Sequence, residues 1–144
     1  MTIEIKLKKN AKKIDKFLLK FLTNQEKSLL SAPMKYGVIS GGKKIRSTII
    51  FDTGKMLKVE EKKLLSVCSA VECIHSYSLI HDDLPCMDND LMRRGKPSTH
   101  KKFGEATAVL AGNSLLTLAF EIISDKRNLL PPKKKNEIIN LLSH

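Results

Sequence analysis

The segment DDLPCMD places Asp82, Asp83 and Asp88 close together, and with Asp90 it concentrates four carboxylates within nine residues. Like charges this crowded raise one another's pKa and oppose folding unless a cation or cationic side chains sit among them. Hard oxygen donors suit magnesium or calcium. Magnesium commonly takes only one or two carboxylates and leaves its other positions to water and phosphate oxygens, which fits a site completed by a diphosphate. A calcium-binding loop read from Asp88 fails, because Met92 and Arg93 stand where an oxygen ligand and a glycine are required.

Basic groups follow at once, as Arg93 and Arg94 before Gly95, Lys96 and Pro97. Guanidinium groups bind phosphate oxygens in a forked geometry. The plainer reading is an arginine pair that only balances the nearby aspartates. A second basic group lies upstream in Ser40, Gly41, Gly42, Lys43, Lys44, Ile45 and Arg46, where glycines precede a helix start. Free amides and the helix dipole favour anions there, and Lys43 and Arg46, three residues apart, share a helix face. The segment is not the phosphate loop GxxxxGK[ST]. Two separate phosphate-binding groups imply two diphosphates.

Helices must carry these groups. Apolar residues recur at helical spacing from about Ile14 to Leu30. Pro33 and the Gly37 to Gly42 region interrupt that pattern, and another helix runs through Ile45 to Leu57. The stretch from Glu60 to Asp83 holds no glycine or proline and reads as one long helix ending near Pro85. On it Glu72, His75, Leu79 and Asp82 form one stripe, since seven residues turn roughly 700°, close to two full turns. Asp82 and Asp88, six apart, would point to different sides of an unbroken helix; Pro85 supplies the break that lets Asp88 return toward Asp82. A polar segment spans Asp88 to His100, followed by helices from about Ala106 to Ile123 and from Lys133 to Leu142 behind Pro131 and Pro132. No strand pattern competes, and no internal repeat is visible.

The 144 residues have the length of one domain, and 42% hydrophobic with 28% charged residues describes a globular chain. The longest apolar runs, Ala106 to Ala111 and Leu115 to Phe120, fall short of the roughly 20 residues of a membrane span. The charged N-terminus lacks the apolar core of a secretory signal, so a cytoplasmic location is expected. Cys68, Cys73 and Cys86 form neither a disulfide framework nor a zinc ligand set and read as buried or incidental thiols. The net charge of +11 suits polyphosphate ligands and nucleic acid alike. The lysine runs at Lys6 to Lys13 and Lys133 to Lys135 lack interleaved aromatics for base stacking, which argues for a solvated face and against nucleic acid.

Taken together, GGKKIR, ECIHSYSLIHDDLPCMDND, RRGKPSTH and KFGEATAVLAGNSLLTLAF strongly resemble the trans-isoprenyl diphosphate synthases, especially the bacterial farnesyl diphosphate synthases, over about Tyr36 to Ile123. The resemblance implies an all-α isoprenoid synthase-type bundle. It implies condensation of isopentenyl diphosphate with an allylic diphosphate, dimethylallyl or geranyl, to farnesyl diphosphate. By that resemblance Asp82 and Asp88 correspond to Mg2+ ligands, with Asp83 in the same motif. Arg93 corresponds to an allylic-diphosphate contact, and Lys43, Arg46, His75 and Arg94 to the isopentenyl diphosphate site. Tyr77, five residues before Asp82, corresponds to the residue that limits product length; no residue is assigned to the chemical step itself.

Family members are about twice this long and carry a second aspartate-rich motif that the chain lacks. Residues 1–144 are therefore expected to be the N-terminal part of one polyprenyl synthase domain, truncated, whose full-length form is a homodimer or which another chain completes. Rival readings are a non-catalytic helical partner subunit, a basic nucleic-acid-binding module, and a metal phosphohydrolase built on His81 and Asp82.

Overall fold

The computed structural model describes residues 2–24, 28–39 and 41–144. Seven helices are present among them: α1 (Ile3–Asn24), α2 (Ser31–Ile39), α3 (Ile45–Met56), α4 (Glu61–Asp82), α5 (Thr99–Phe103), α6 (Glu105–Ser124) and α7 (Pro132–Ser143). Two-residue strands β1 (Met92–Arg93) and β2 (Lys96–Pro97) lie between α4 and α5. The all-α architecture expected from the sequence is what forms.

The two long central helices, α4 and α6, form the frame. On α6 the residues Ala108, Ala111, Leu115, Leu118, Ala119, Ile122 and Ile123 are buried, a stripe at the three- and four-residue spacing of one helix face. The side chains on this stripe are small at its N-terminal end and large at its C-terminal end. A methyl group at Gly112 would collide with the imidazole of His81, so the missing side chain is what lets α6 close on the C-terminal turn of α4. Leu115, Leu118, Ile122 and Ile123 fill the wider space beyond. Ile14, Leu18 and Leu22 of α1, Met34 and Val38 of α2, and Phe51 of α3 complete the same core.

Several boundaries differ from the sequence reading, each for a local reason. Helix α1 begins at Ile3 rather than near Ile14, because its first turns are lysine-rich and carry only the thin apolar stripe of Leu7 and Ala11. Polar contacts hold that half instead: Lys6 pairs with Asp52 at 2.7 Å, and the buried Asn10 amide donates to Thr48 Oγ1 at 3.4 Å. The expected continuation to Leu30 crosses residues 25–27, which lie outside the described residues, as does Ser40. Pro33 does not interrupt; it sits in the first turn of α2, where its missing N–H costs nothing. Gly37 lies within the same helix, where an added Cβ would come within 2.5 Å of Ile80 Cδ1.

The hairpin was not legible, because two residues are too few for alternation to register. Arg94 and Gly95, with φ of 54° and 73°, form the two-residue turn whose twist matches paired strands, and Met92 pairs with Pro97 and Arg93 with Lys96. Helix α6 also corrects the expectation drawn from short apolar runs. Although Gly112, Asn113 and Ser114 break its run of apolar letters, its 20 residues are long and apolar enough to cross a membrane by length and composition. Its stripe packed on α4 accounts for that apolarity as a core helix.

Replacing Leu115, which is 0% exposed, by alanine is expected to lower unfolding stability in urea by about 2–5 kcal/mol. Leu141→Ala, at a site 79% exposed, is expected to change it by less than about 0.5 kcal/mol. Equal effects would contradict the α4–α6 core.

Candidate functional site

The aspartate segment is a turn built on the C-terminal end of α4. The backbone N–H of Asp83 still donates to Leu79 O at 3.2 Å, and that of Leu84 to His81 O at 3.1 Å. Past Pro85, the N–H of Asp88 donates to Asp82 O at 2.9 Å, and that of Asn89, in the left-handed region at φ 54°, to Leu84 O at 3.0 Å. The chain thus doubles back, and the Asp88 backbone returns to Asp82 as the break at Pro85 leads one to expect.

Arg93 resolves much of the carboxylate crowding. Asp83 is 1% exposed, and Arg93 grips it as a fork, Nε donating at 2.8 and 2.7 Å and Nη2 at 2.5 Å. A second carboxylate, Asp90, lies 3.8 Å from the same guanidinium. Arg93 thereby performs the balancing role of the plainer reading. Asp82 is half-buried and Asp88 exposed, and among the described residues neither carboxylate has a hydrogen bond or ion pair. Among the same residues no three His, Cys, Asp or Glu side chains gather closely enough to hold a metal ion. A site here would offer two free carboxylates.

Arg94 faces the other way. With φ of 54° in the hairpin turn, it directs its guanidinium to the Gly41 carbonyl, to which Nη1 donates. The guanidinium also covers Gly42, whose φ of 107° would strain any residue with a Cβ.

Around this contact opens a cleft of about 550 Å³ that gathers Lys43, Arg46, His75 and Arg94, with Lys44 and Glu72 in its wall. Lys43 precedes α3 instead of lying on it, since Lys44 caps the helix in a left-handed conformation; the two basic residues share the cleft through that turn, not through a common helix face. Arg46 Nη1 donates to His75 Nε2 at 3.3 Å, which requires a neutral imidazole. Burial, then the neighbouring Arg46 charge, holds the His75 pKa below its ordinary 6.5. Glu72 and Lys44 are the residues sequence reasoning passed over: Glu72 was seen on the polar stripe and Lys44 beside Lys43, but nothing in the letters marks either as buried.

Tyr77 is half-buried on α4, its ring 4.6 Å from that of His81 in an edge-on contact. His81 Nε2 donates to the Val109 carbonyl at 3.1 Å, so this imidazole serves the α4–α6 packing. Burial pushes the Cys68 and Cys73 thiols up to about 12, which makes both inert, while Cys86 is exposed in the acidic turn. A second cleft, of about 500 Å³ and lined by Phe17, Phe21, Leu65 and Leu129, opens at the far end of α4 and contains none of these groups.

Comparison with known proteins bears on the family and the fold. The polyprenyl synthetase family profile matches residues 27–144. The chain is similar to farnesyl diphosphate synthase of Buchnera aphidicola subsp. Acyrthosiphon pisum, at 55% identity over 109 residues, covering 76% of this chain and 38% of that protein. It is similar to farnesyl diphosphate synthase of Escherichia coli at 50% identity, covering 76% of this chain and 36% of that one. Among solved structures, an FPP/GFPP synthase from Zymomonas mobilis superposes with a TM-score of 0.92 at 41% identity, over 98% of this chain and 51% of that chain. A geranyltranstransferase from Thermotoga maritima gives 0.83 at 40% identity, over 95% and 51%. The fold is therefore of the isoprenoid synthase type, and the chain spans about half the length of these structures and under two fifths of the curated relatives.

The lowered His75 pKa carries a pH dependence. As pH falls below about 6.5 the unfolded chain takes up a proton at His75 that the folded chain does not, so this contribution to stability is present above that pH and is lost as pH falls toward the folded value. Urea unfolding at about pH 7.5 and about pH 5.5 is expected to show a larger loss for the wild type than for His75→Gln. Equal losses would contradict the assignment.

Proposed function

Because the chain belongs to the polyprenyl synthetase family, we propose that it binds two diphosphates and takes part in their head-to-tail condensation. Isopentenyl diphosphate occupies the cleft of Lys43, Arg46, His75 and Arg94, and an allylic diphosphate, dimethylallyl or geranyl, sits against Asp82 and Asp88. The product is farnesyl diphosphate. The observation that carries this reading is the convergence of four basic or imidazole side chains, from three separate segments, on one cleft beside the acidic turn.

The donor set fits magnesium. Asp82 and Asp88 are hard oxygen donors that make no hydrogen bond or ion pair among the described residues, and two carboxylates leave room for water and phosphate oxygens. When bound, magnesium supplies neutralisation of the negative charge that develops on the departing diphosphate. Arg93, fixed by Asp83, adds a guanidinium whose remaining edge can meet phosphate oxygens. In the condensation the allylic carbon–oxygen bond breaks and diphosphate leaves with the electron pair. The double bond of isopentenyl diphosphate then supplies the electrons for the new carbon–carbon bond, and a proton is lost from that unit. Lys43, Arg46 and Arg94 hold the second diphosphate in place, which turns an encounter of two molecules into a reaction within one complex.

Tyr77, on the helix that leads into the aspartates, is the residue we assign to limiting product length, its ring steadied against His81. The reading carries a cytoplasmic location and a homodimer or a completing chain. Exposed apolar side chains at Ile49, Met56, Leu57 and Leu141 support a further polypeptide surface. The phosphohydrolase alternative loses support from His81, whose Nε2 is engaged with Val109.

Incubating the purified chain with magnesium, labelled isopentenyl diphosphate and geranyl diphosphate is expected to yield farnesyl diphosphate, and Asp82→Ala to lower the rate on the order of 100-fold or more. If no product forms but geranyl diphosphate still raises the melting temperature only with magnesium, the reading reduces to binding. Absence of both would overturn it.

A further inference from the structure

Lys44 has no part in the function proposed above, yet its placement in the cleft is tightly constrained. Its side chain is 3% exposed although it lies between the exposed Lys43 and Ile45, and its backbone, at φ 44° and ψ 51°, adopts a left-handed conformation uncommon for lysine. The ammonium lies 3.1 Å from Asp15 Oδ1 of α1, close enough for an ion pair but not aligned for a hydrogen bond. It lies 3.8 Å from Glu72 Oε2 of α4 and donates to the Val38 carbonyl of α2 at 3.2 Å. The other oxygen of Glu72 accepts from Ser47 Oγ, on the first turn of α3, at 2.6 Å. One ammonium thus ties three helices to the start of a fourth, at the edge of the basic cleft.

Stability alone does not explain this arrangement. Two charges taken out of water lose hydration that their attraction barely restores, and well-packed apolar residues commonly serve as well. A carboxylate in the wall of an anion-binding cleft also repels the anion it is meant to admit. What the pair supplies is position. The left-handed backbone of Lys44 stands between Lys43 and the first turn of α3, so this turn sets where Lys43 lies relative to Arg46.

We propose that Lys44 and Glu72 are positioning residues of the cleft: the buried ammonium, held between Asp15, Glu72 and the Val38 carbonyl, keeps the left-handed turn that aims Lys43 and Arg46 at a single diphosphate, without touching it. The inference rests on the reading of this cleft as a diphosphate site. Its signature is a sign reversal. Removing the negative charge of Glu72 should, by electrostatics alone, tighten anion binding, whereas loss of positioning weakens it.

Pyrophosphate is the probe, titrated calorimetrically into the full chain with EDTA present so that only the metal-free cleft is read, with circular dichroism establishing that each variant is folded at the titration temperature. Glu72→Gln keeps the size of the side chain and its acceptance from Ser47, and it is expected to raise the Kd about tenfold, as is Lys44→Met. An unchanged or lowered Kd in Glu72→Gln overturns the inference, even if the melting temperature falls. Failure of both variants to accumulate as folded protein also overturns it, since the pair would then be structural first. Arg46→Met separates the two levels: if it leaves pyrophosphate binding unchanged, or the wild type does not bind, the reading of the cleft fails and the inference fails with it.

Discussion

Arg93 reaches from a two-stranded hairpin to the end of α4 and closes a fork on Asp83, a carboxylate only 1% exposed. Much of the site's geometry depends on that pair. It satisfies the one aspartate of the cluster that has no access to water, and among the described residues it leaves Asp82 and Asp88 without a hydrogen bond or ion pair. It also anchors the hairpin, so that the next residue, Arg94, is carried by its left-handed turn to the opposite side and into contact with Gly41. A single ion pair therefore sets the acidic turn and the basic cleft at a fixed relation. A buried carboxylate deprived of its partner costs several kcal/mol, on the order of 3–5, so the arrangement resists loosening.

The frame beneath this pair is apolar and close-packed. Small residues at Ala108, Ala111 and Gly112 draw α6 onto the last turns of α4, where His81 meets it, while larger residues fill the opposite end. Packing of this kind holds the C-terminal end of α4 still, which a turn of free carboxylates needs if it is to present them in a constant geometry. Charge and packing are coupled here: the residues that crowd one another electrostatically follow directly from the packed C-terminal end of α4.

Much of this was legible in the sequence. The long helix ending near Pro85, the alanine- and leucine-rich helix after Gly104, and the return of Asp88 toward Asp82 all follow from periodicity and from what proline does to a helix. Other features depend on contacts that no local pattern encodes. Arg93 and Arg94 are adjacent and identical in type, yet one answers a buried aspartate and the other a backbone carbonyl, because the hairpin turn between β1 and β2 sends them to opposite sides. Lys43 and Lys44 are likewise indistinguishable as letters, and one is exposed while the other is buried among Asp15, Glu72 and Val38. The early turns of α1 were hidden for a different reason: polar contacts to Asp52 and Thr48 hold them where an apolar stripe would normally do so.

The division of labour between a metal-dependent acidic turn and a metal-independent basic cleft is the central claim, and calorimetric titration of isopentenyl diphosphate and geranyl diphosphate, each with magnesium and with EDTA, tests it most directly. The account predicts that isopentenyl diphosphate binds with nearly the same Kd in both conditions, because Lys43, Arg46 and Arg94 supply the charge, whereas geranyl diphosphate binding is lost in EDTA. Loss of both in EDTA, or retention of both, would contradict it.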